Sequence, residues 1–140
     1  MRAHPGGSGE SGMTMDVRVG TDVEAIADIE ASLDRWGERY ARRLFTEAEL
    51  ADCASAAPRL TARFAAKEAT IKLLAPDDDV IPRWRSIEVR TASSGAPAVV
   101  LHDEAAHLAQ QRGIGPISVS LSHGAGIGTA TVVALALGGQ

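Results

Sequence analysis

The early part of the chain shows two successive periods of hydrophobic and polar positions. A strand period comes first, with two alternating sets of residues, Val17, Val19 and Thr21 against Arg18, Gly20 and Asp22. This alternation predicts a half-buried strand in which the first set faces inward and a carboxylate ends the outward face. Apolar residues then follow at helical spacing from Ile26 to Trp36, and Gly37 separates this helix from a second short one.

Two further helices are predicted from their terminal residues. Thr46 and Glu49 have the spacing of a capping box, which indicates a helix that runs to about residue 56. Pro58 suits the first turn of a longer, central helix, and Pro76 requires that helix to end. Asp22 could serve as the N-cap of the first helix, because aspartate favours that position.

The second half of the chain alternates mainly with the period of strands. Strands are predicted over residues 84–91, 98–101, 117–123 and 127–137, with one more helix, capped by Asp103, between the second and third of these. Glycines 124, 126 and 128 have the spacing of a hairpin rather than of a nucleotide-binding loop. Helices grouped between a first strand and a later run of strands predict a single α+β domain over residues 15–140. Residues 1–14 are rich in Gly and Ser and predict a flexible tail.

Composition narrows the class of protein. The 140 residues carry a formal net charge of −4, which argues against a general nucleic-acid binder. A membrane span would need about 18 consecutive apolar residues, and the sequence has no such run. The single cysteine, Cys53, cannot form an internal disulfide, so we expect a reducing, cytoplasmic location.

The central helix carries an unusual group of charges. Lys67 falls in the middle of an apolar stripe made by Leu60, Phe64, Ile71 and Leu74. Glu68 is its neighbour, Lys72 lies one turn beyond Glu68, and Arg63 lies one turn before Lys67. One interpretation is a surface pair of Glu68 with Lys72 and a Lys67 side chain that reaches out to water. The other is a site for a metal ion and phosphates.

Three separated motifs favour the second interpretation when they are taken together. They are Gly20-Thr21-Asp22, the run Arg63-Phe64-Ala65-Ala66-Lys67-Glu68 through Lys72, and Ser120-Leu121-Ser122-His123, with Phe45-Thr46-x-x-Glu49 in support. In this order the chain resembles a 4′-phosphopantetheinyl transferase of the small holo-[acyl-carrier-protein] synthase type, from about Val17 to Ala136. The resemblance implies an α+β fold that assembles as a homotrimer with active sites between subunits. It also implies transfer of 4′-phosphopantetheine from coenzyme A to a serine of an apo acyl carrier protein, with release of adenosine 3′,5′-bisphosphate.

The resemblance assigns roles to particular residues. Asp22 and Glu68 match the carboxylates that hold Mg²⁺, an ion that prefers oxygen ligands. Lys67 and Lys72 are expected to offset charge on the transferring phosphoryl group, while Glu68 or a metal-bound water takes the serine proton. The residues expected to contact coenzyme A are Arg63, Lys72, His123, Gly95 and Pro97. The residues expected to dock the acidic carrier are the arginines Arg35, Arg39, Arg42 and Arg43, which would form one stripe if the bend at Gly37 is mild.

Some positions depart from the family's pattern, and two other functions share its residues. Ile71 stands where relatives often have serine, Asp28 stands where arginine is common, and residues 77–79 form an acidic loop that we expect to face solvent. A non-catalytic module that binds coenzyme A or a carrier would not need both carboxylates. A metal-dependent phosphohydrolase would use both but would need no acceptor protein.

Overall fold

A computed structural model describes residues 14–138, which form the predicted α+β architecture. The elements in chain order are β1 (Met15–Ala25), α1 (Ile26–Trp36), α2 (Glu38–Leu44), α3 (Glu47–Cys53), α4 (Ala57–Leu74), a 3₁₀ turn (Trp84–Ser86), β2 (Ile87–Thr91), β3 (Pro97–Leu101), α5 (Asp103–Gln111), β4 (Ile114–Gly124) and β5 (Ile127–Leu137). Apart from Thr14, the predicted tail lies outside the described residues. No described helix has the length and hydrophobicity needed to cross a bilayer.

Antiparallel pairing organises the described strands into two sheets. The larger has the order β1-β5-β4, and the smaller is the β2-β3 hairpin. Strand β1 pairs with β5 over its whole length, from Met15 opposite Leu137 to Ala25 opposite Ile127. The predicted glycine hairpin is confirmed, because β4 turns into β5 through Gly124, Ala125 and Gly126, all with positive φ.

Helix α4 lies directly against the larger sheet. Small residues cover its inner side, and Ala65, Ala66 and Ala69 have no exposed surface. A Cβ added to Gly20 on β1 would lie 2.0 Å from the carbonyl oxygen of Ala69. A Cβ on Gly128 of β5 would lie 2.8 Å from the backbone nitrogen of Ala62. Two glycines on paired strands therefore allow the helix backbone to touch the sheet.

This close approach reverses the predicted faces of β1. Gly20 and Asp22 face α4, whereas Val17 and Val19 point away from the subunit and are 69% and 61% exposed. The prediction that the valines face inward is wrong, because the helix needs a residue without a side chain at its point of contact. On β5 the small residues Gly128, Ala130, Ala134 and Ala136 are buried beneath the helix.

The predicted cap of α3 is confirmed, whereas three other predicted element ends differ from the structure. The capping box is confirmed, since Thr46 Oγ1 accepts from Glu49 N and Glu49 Oε1 accepts from Thr46 N. Helix α3 nevertheless ends early, at Cys53, because Ala54 adopts a left-handed conformation. Residues 84–86 form a 3₁₀ turn rather than the start of a strand. Asp103 is the first residue of α5 and does not cap it.

We predict that Gly20→Ala destabilises the protein and disturbs the position of α4. The added methyl group would overlap a backbone oxygen, so the helix must move, and overpacking of this kind costs about 1–3 kcal/mol or more. Chemical denaturation followed by circular dichroism measures the change. Gly115→Ala in β4 is the matched control, because its Cβ would meet its nearest neighbour at 3.4 Å. Equal stability of the two variants would contradict the close contact.

Candidate active site

Carboxylates gather where the inward face of β1 meets the middle of α4. Asp22 lies two residues beyond Gly20 on the same face of the strand, and Glu68 precedes Ala69, which Gly20 contacts. Asp22 does not cap α1, because that helix begins only at Ile26 and has no side-chain cap. Contact between helix and strand thus brings together the two carboxylates that the sequence predicted as metal ligands.

A lysine and a third carboxylate complete this cluster. Lys72 Nζ donates to the carbonyl oxygen of Thr21 at 2.9 Å and to Asp22 Oδ1 at 3.3 Å. Glu24 is half-buried and interacts with Asp22 and Glu68. Glu24 was not among the residues predicted from the sequence. Its position two residues after Asp22, on the same face of a strand, was the available signal.

Two carboxyl groups of the cluster, those of Glu24 and Glu68, have a raised pKa. Burial and a hydrogen bond to Asp22, followed by the charges of Asp22 and Glu68, raise the pKa of Glu24 to about 8. Burial and then the charge of Asp22 raise the pKa of Glu68, while Lys72 acts in the opposite direction. The cluster therefore contains more negative charge than Lys72 can balance.

The donor set fits a hard cation. When the neighbouring carboxyls are ionised, Asp22 Oδ2 is buried without a hydrogen-bond partner among the described residues. No group of three or more carboxylate, imidazole or thiol side chains in residues 14–138 has the spacing to hold a metal ion alone. Asp22 and Glu68 could thus supply two oxygen ligands, leaving the rest to phosphate and water, which is the usual arrangement for Mg²⁺.

Apart from the carboxylate cluster, the structure has a cavity of about 240 Å³ that is lined by three of the residues predicted to contact coenzyme A. Its lining residues are Asp52, Arg59, Ala62, Arg63, Thr91, Gly95, Leu121 and His123. Arg63 Nη2 donates to Thr91 Oγ1 at 3.0 Å, while its buried Nε has no partner among the described residues. Pro97 lies opposite Thr91 at the start of β3 and does not line the cavity. Lys72 belongs to the carboxylate cluster instead.

The structure explains two of the positions that depart from the family's pattern, Ile71 and the acidic loop 77–79. Ile71 is half-buried and packs against the main hydrophobic core, so its side chain serves packing. The expectation for the acidic loop is confirmed, because the three residues 77–79 are exposed.

The structure corrects the role predicted for Lys67. Its side chain is fully buried, and Nζ donates to Glu49 Oε1 at 2.8 Å, to Trp84 O at 3.1 Å and to Ile87 O at 2.5 Å. Burial lowers the pKa of Lys67, and the charge of Glu49 acts against this. An ammonium group has three donors, and all three are used. Lys67 is therefore a structural residue that neither extends to water nor reaches a phosphate in this arrangement.

Glu49 is the partner that the sequence analysis missed. Besides its bonds to Lys67 and Thr46, its Oε2 accepts from the backbone nitrogen of Val89 at 2.7 Å. Thr46 Oγ1 in turn donates to Glu88 Oε2 at 2.6 Å. The signal was present, because a lysine on an apolar stripe requires an acid nearby, but the two residues are 18 positions apart in the sequence.

The predicted stripe of four arginines does not form. Gly37 has φ 61° and ψ −142°, which breaks the helical path between α1 and α2. Arg39 and Arg43 line one depression with Trp36 and Tyr40. Arg42 lines a separate depression and lies 3.6 Å from Glu38. The guanidinium of Arg35 lies 4.9 Å from the ring centre of Trp36.

Comparison with known proteins identifies the family of this chain. The fold is that of a phosphopantetheinyl transferase: the chain belongs to the 4′-phosphopantetheinyl transferase superfamily, whose family model matches residues 18–127. More specifically, it is similar to the holo-[acyl-carrier-protein] synthase of Dehalococcoides mccartyi strain 195, with 45% identity over 82% of this chain and 95% of that protein. The corresponding protein of Leifsonia xyli is 44% identical, covering 82% and 92%.

Solved structures of holo-[acyl-carrier-protein] synthases have a similar fold. The holo-[acyl-carrier-protein] synthase of Helicobacter pylori in complex with coenzyme A superposes with a TM-score of 0.73, at 27% identity, covering 83% of this chain and 98% of that one. The synthase of Mycobacterium tuberculosis gives a TM-score of 0.67 at 33% identity, covering 85% and 96%.

We predict that Lys67→Met is markedly less stable than the wild type. Removing the ammonium would leave the Glu49 carboxylate buried and unpaired, a change that typically costs about 3–5 kcal/mol. Chemical denaturation measures this loss. Lys72→Met is the matched control, because the Lys72 side chain is 57% exposed and its removal should change stability little.

A double variant provides a second test of the structural role of Lys67. Lys67→Met combined with Glu49→Leu removes both charges and should recover part of the lost stability. If the single Lys67→Met variant is as stable as the wild type, the assigned structural role is wrong.

Proposed function

We propose that this chain is a holo-[acyl-carrier-protein] synthase, which transfers 4′-phosphopantetheine from coenzyme A to a serine of an apo acyl carrier protein. The observation that carries the proposal is the cluster of Asp22, Glu68 and Lys72, built by the contact of α4 with β1 in a chain of this superfamily. The leaving group is adenosine 3′,5′-bisphosphate. The natural carrier belongs to fatty-acid or polyketide synthesis, and we propose the cytoplasm as the compartment.

Asp22 and Glu68 would hold Mg²⁺, which supplies Lewis-acid polarisation of the pyrophosphate oxygens when it is bound. The protein's own groups orient the reaction around this site. Lys72 Nζ, anchored by Thr21 O and Asp22 Oδ1, offers a positive charge at the position where charge accumulates on the phosphoryl group. The serine oxygen attacks the β-phosphorus, the bond from that phosphorus to the bridging oxygen breaks, and the serine proton leaves to a nearby base.

The arginine-lined cavity would bind the adenosine bisphosphate part of coenzyme A. Arg63 presents a buried Nε without a partner among the described residues, and His123 lines the same cavity. A planar guanidinium with free donors suits a phosphate. Gly95 has no side chain and φ of 91°, so the turn it forms leaves room beside this cavity for the adenine ring.

The exposed face of the larger sheet supports a homotrimer. On β1 and β5 the large apolar residues that point away from α4 and are exposed are Met15, Val17, Val19, Val23, Ile127, Val133, Leu135 and Leu137. Single exposed apolar residues are ordinary, but a continuous apolar sheet face marks an interface. We propose that the active sites of this assembly lie between subunits, as the resemblance to the family implies.

One experiment separates this function from its alternatives. The protein is incubated with coenzyme A, Mg²⁺ and a bacterial apo acyl carrier protein, and the carrier is weighed by mass spectrometry. A gain of one phosphopantetheinyl group on the carrier's serine supports the transferase. Coenzyme A cleavage that needs no carrier would indicate a phosphohydrolase, and binding without any reaction would indicate a non-catalytic module.

We predict that Asp22→Ala and Glu68→Gln each lower carrier modification about 10²-fold or more, because each removes one of few charged metal ligands. Asp79→Asn is the control, since it removes a carboxylate from an exposed loop and should keep full activity. Circular dichroism confirms that the variants fold. Wild-type turnover of both site variants at saturating Mg²⁺ would refute the metal assignment.

We predict that Val19→Glu prevents assembly while the subunit still folds. Val19 is 61% exposed in the isolated subunit, but a trimer would bury it, and an unpaired carboxylate would then be costly. Analytical ultracentrifugation gives the oligomeric state. Val80→Glu is the control, because Val80 is similarly exposed, at 63%, and lies outside the sheet. A fully active monomer would argue against sites shared between subunits.

A further inference from the structure

One carboxylate lies among the positive charges of the cavity proposed for adenosine bisphosphate, and the mechanism above does not use it. Asp52 lines this cavity together with Arg59, Arg63 and His123. A phosphate bound by these cations would be repelled by a neighbouring carboxylate. Asp52 therefore has no place in phosphate binding, and its presence in the cavity needs another reason.

The helix that carries Asp52 does not supply that reason. Asp52 is the last residue but one of α3, and the last turn of this helix has no basic residue. The C-terminal end of a helix carries partial negative charge, so a carboxylate there is unfavourable for the helix. Among residues 14–138 the Asp52 side chain accepts a single, long hydrogen bond, 3.3 Å from the backbone nitrogen of Thr91 to Oδ2. Asp52 Oδ1 is therefore available as an acceptor.

Thr91 places Asp52 beside Arg63 without joining the two charges. Thr91 Oγ1 accepts from Arg63 Nη2 at 3.0 Å, while Thr91 N donates to Asp52 Oδ2. The ion pairs formed within residues 14–138 include neither Asp52 nor Arg63. A guanidinium that suits a phosphate and a carboxylate with a free oxygen are thus held on the two sides of one residue.

Adenosine 3′,5′-bisphosphate has few groups that a carboxylate can bind. An ionised carboxylate only accepts hydrogen bonds, and this molecule offers two kinds of donor, the ribose 2′-hydroxyl and the 6-amino group of adenine. The 2′-hydroxyl is attached to the carbon next to the one that bears the 3′-phosphate. A ligand whose 3′-phosphate lies on Arg63 would therefore present its 2′-hydroxyl to the acceptor beside Arg63, which is Asp52.

We infer that Asp52 accepts a hydrogen bond from the ribose 2′-hydroxyl of coenzyme A, and that it makes the site specific for a ribose phosphorylated at O3′ and free at O2′. This inference rests on the proposed function and adds to it a residue that determines specificity. Carboxylates bind the ribose 2′-hydroxyl in the same way in dinucleotide-binding folds. The 6-amino group is the less suitable donor, because it lies on the side of the adenine ring remote from the ribose.

The test compares two nucleotides that differ by one oxygen atom. Adenosine 3′,5′-bisphosphate and 2′-deoxyadenosine 3′,5′-bisphosphate are titrated into the protein in a calorimeter, and the ratio of their affinities is the measured quantity. For the wild type we expect the nucleotide with the 2′-hydroxyl to bind roughly three- to tenfold more tightly, the effect of one hydrogen bond. Asp52→Ala, a change at an exposed position, should bind the two nucleotides equally.

The ratio separates the hydrogen bond from the general effect of charge. Loss of a negative charge from the cavity should strengthen the binding of both nucleotides, and this gain cancels in the ratio. Asp52→Asn keeps an oxygen acceptor and should retain part of the discrimination. Glu47→Ala is the matched control, because it removes an exposed carboxylate from the first turn of the same helix, outside this cavity, and should keep the wild-type ratio.

Each outcome decides the inference. Equal affinities of the two nucleotides for the wild type, or an unchanged ratio in Asp52→Ala, would overturn it. Inosine 3′,5′-bisphosphate lacks the 6-amino group, so a preference for adenosine over inosine that Asp52→Ala removes would assign Asp52 to the base and refute the ribose contact. If the wild type binds no adenosine 3′,5′-bisphosphate, the proposed function fails together with the inference. Carrier modification by the wild type together with equal affinities for the two nucleotides would leave the function intact and refute the role of Asp52.

Discussion

Direct contact between the backbone of α4 and the strands beneath it is the constraint on which this structure depends. Glycine is required at Gly20 because the space of its missing Cβ is taken by the carbonyl oxygen of Ala69. Glu68 is the neighbour of Ala69, and Asp22 lies two residues from Gly20 on the same face of β1. The contact that packs the core therefore also sets the position of one carboxylate relative to the other, so packing and chemistry share a single geometric requirement.

The side of α4 that carries Lys67 is held by a buried ion pair as well as by apolar packing. The Lys67–Glu49 pair has no exposed surface, and such a pair is tolerable only when its remaining donors and acceptors are satisfied. Backbone groups meet that condition: Trp84 O and Ile87 O accept from Lys67, and Val89 N donates to Glu49. The pair thereby joins α3, α4 and β2. The Lys67–Glu49 pair therefore holds α4, the helix that carries Glu68, on the side away from Gly20 and Gly128.

How much could be predicted from the sequence depended on whether a signal was local. The capping box and the glycine turn are local, and both were predicted correctly. The inward face of β1 was not, because alternation gives only the period of a strand, and its more apolar face is the exposed one in this subunit. The partner of Lys67 lies 18 residues away, and the arginine stripe depended on the backbone at Gly37, so neither could be derived from spacing.

The two faces of β1 explain why the valines point outward. Asp22 must face α4 to meet Glu68, and alternation then places Val19, Thr21 and Val23 on the other face. Residues Arg63 and Glu68 on the same helix are separated by about 7.5 Å along its axis, and neither Asp22 nor Glu68 lines the cavity that contains Arg63. A substrate that uses both kinds of site could take one from each of two subunits. In the homotrimer that we propose, the apolar residues on the outer face of β1 form the interface between subunits, and the alternation of the strand that turns Asp22 toward α4 also places the valines in that interface.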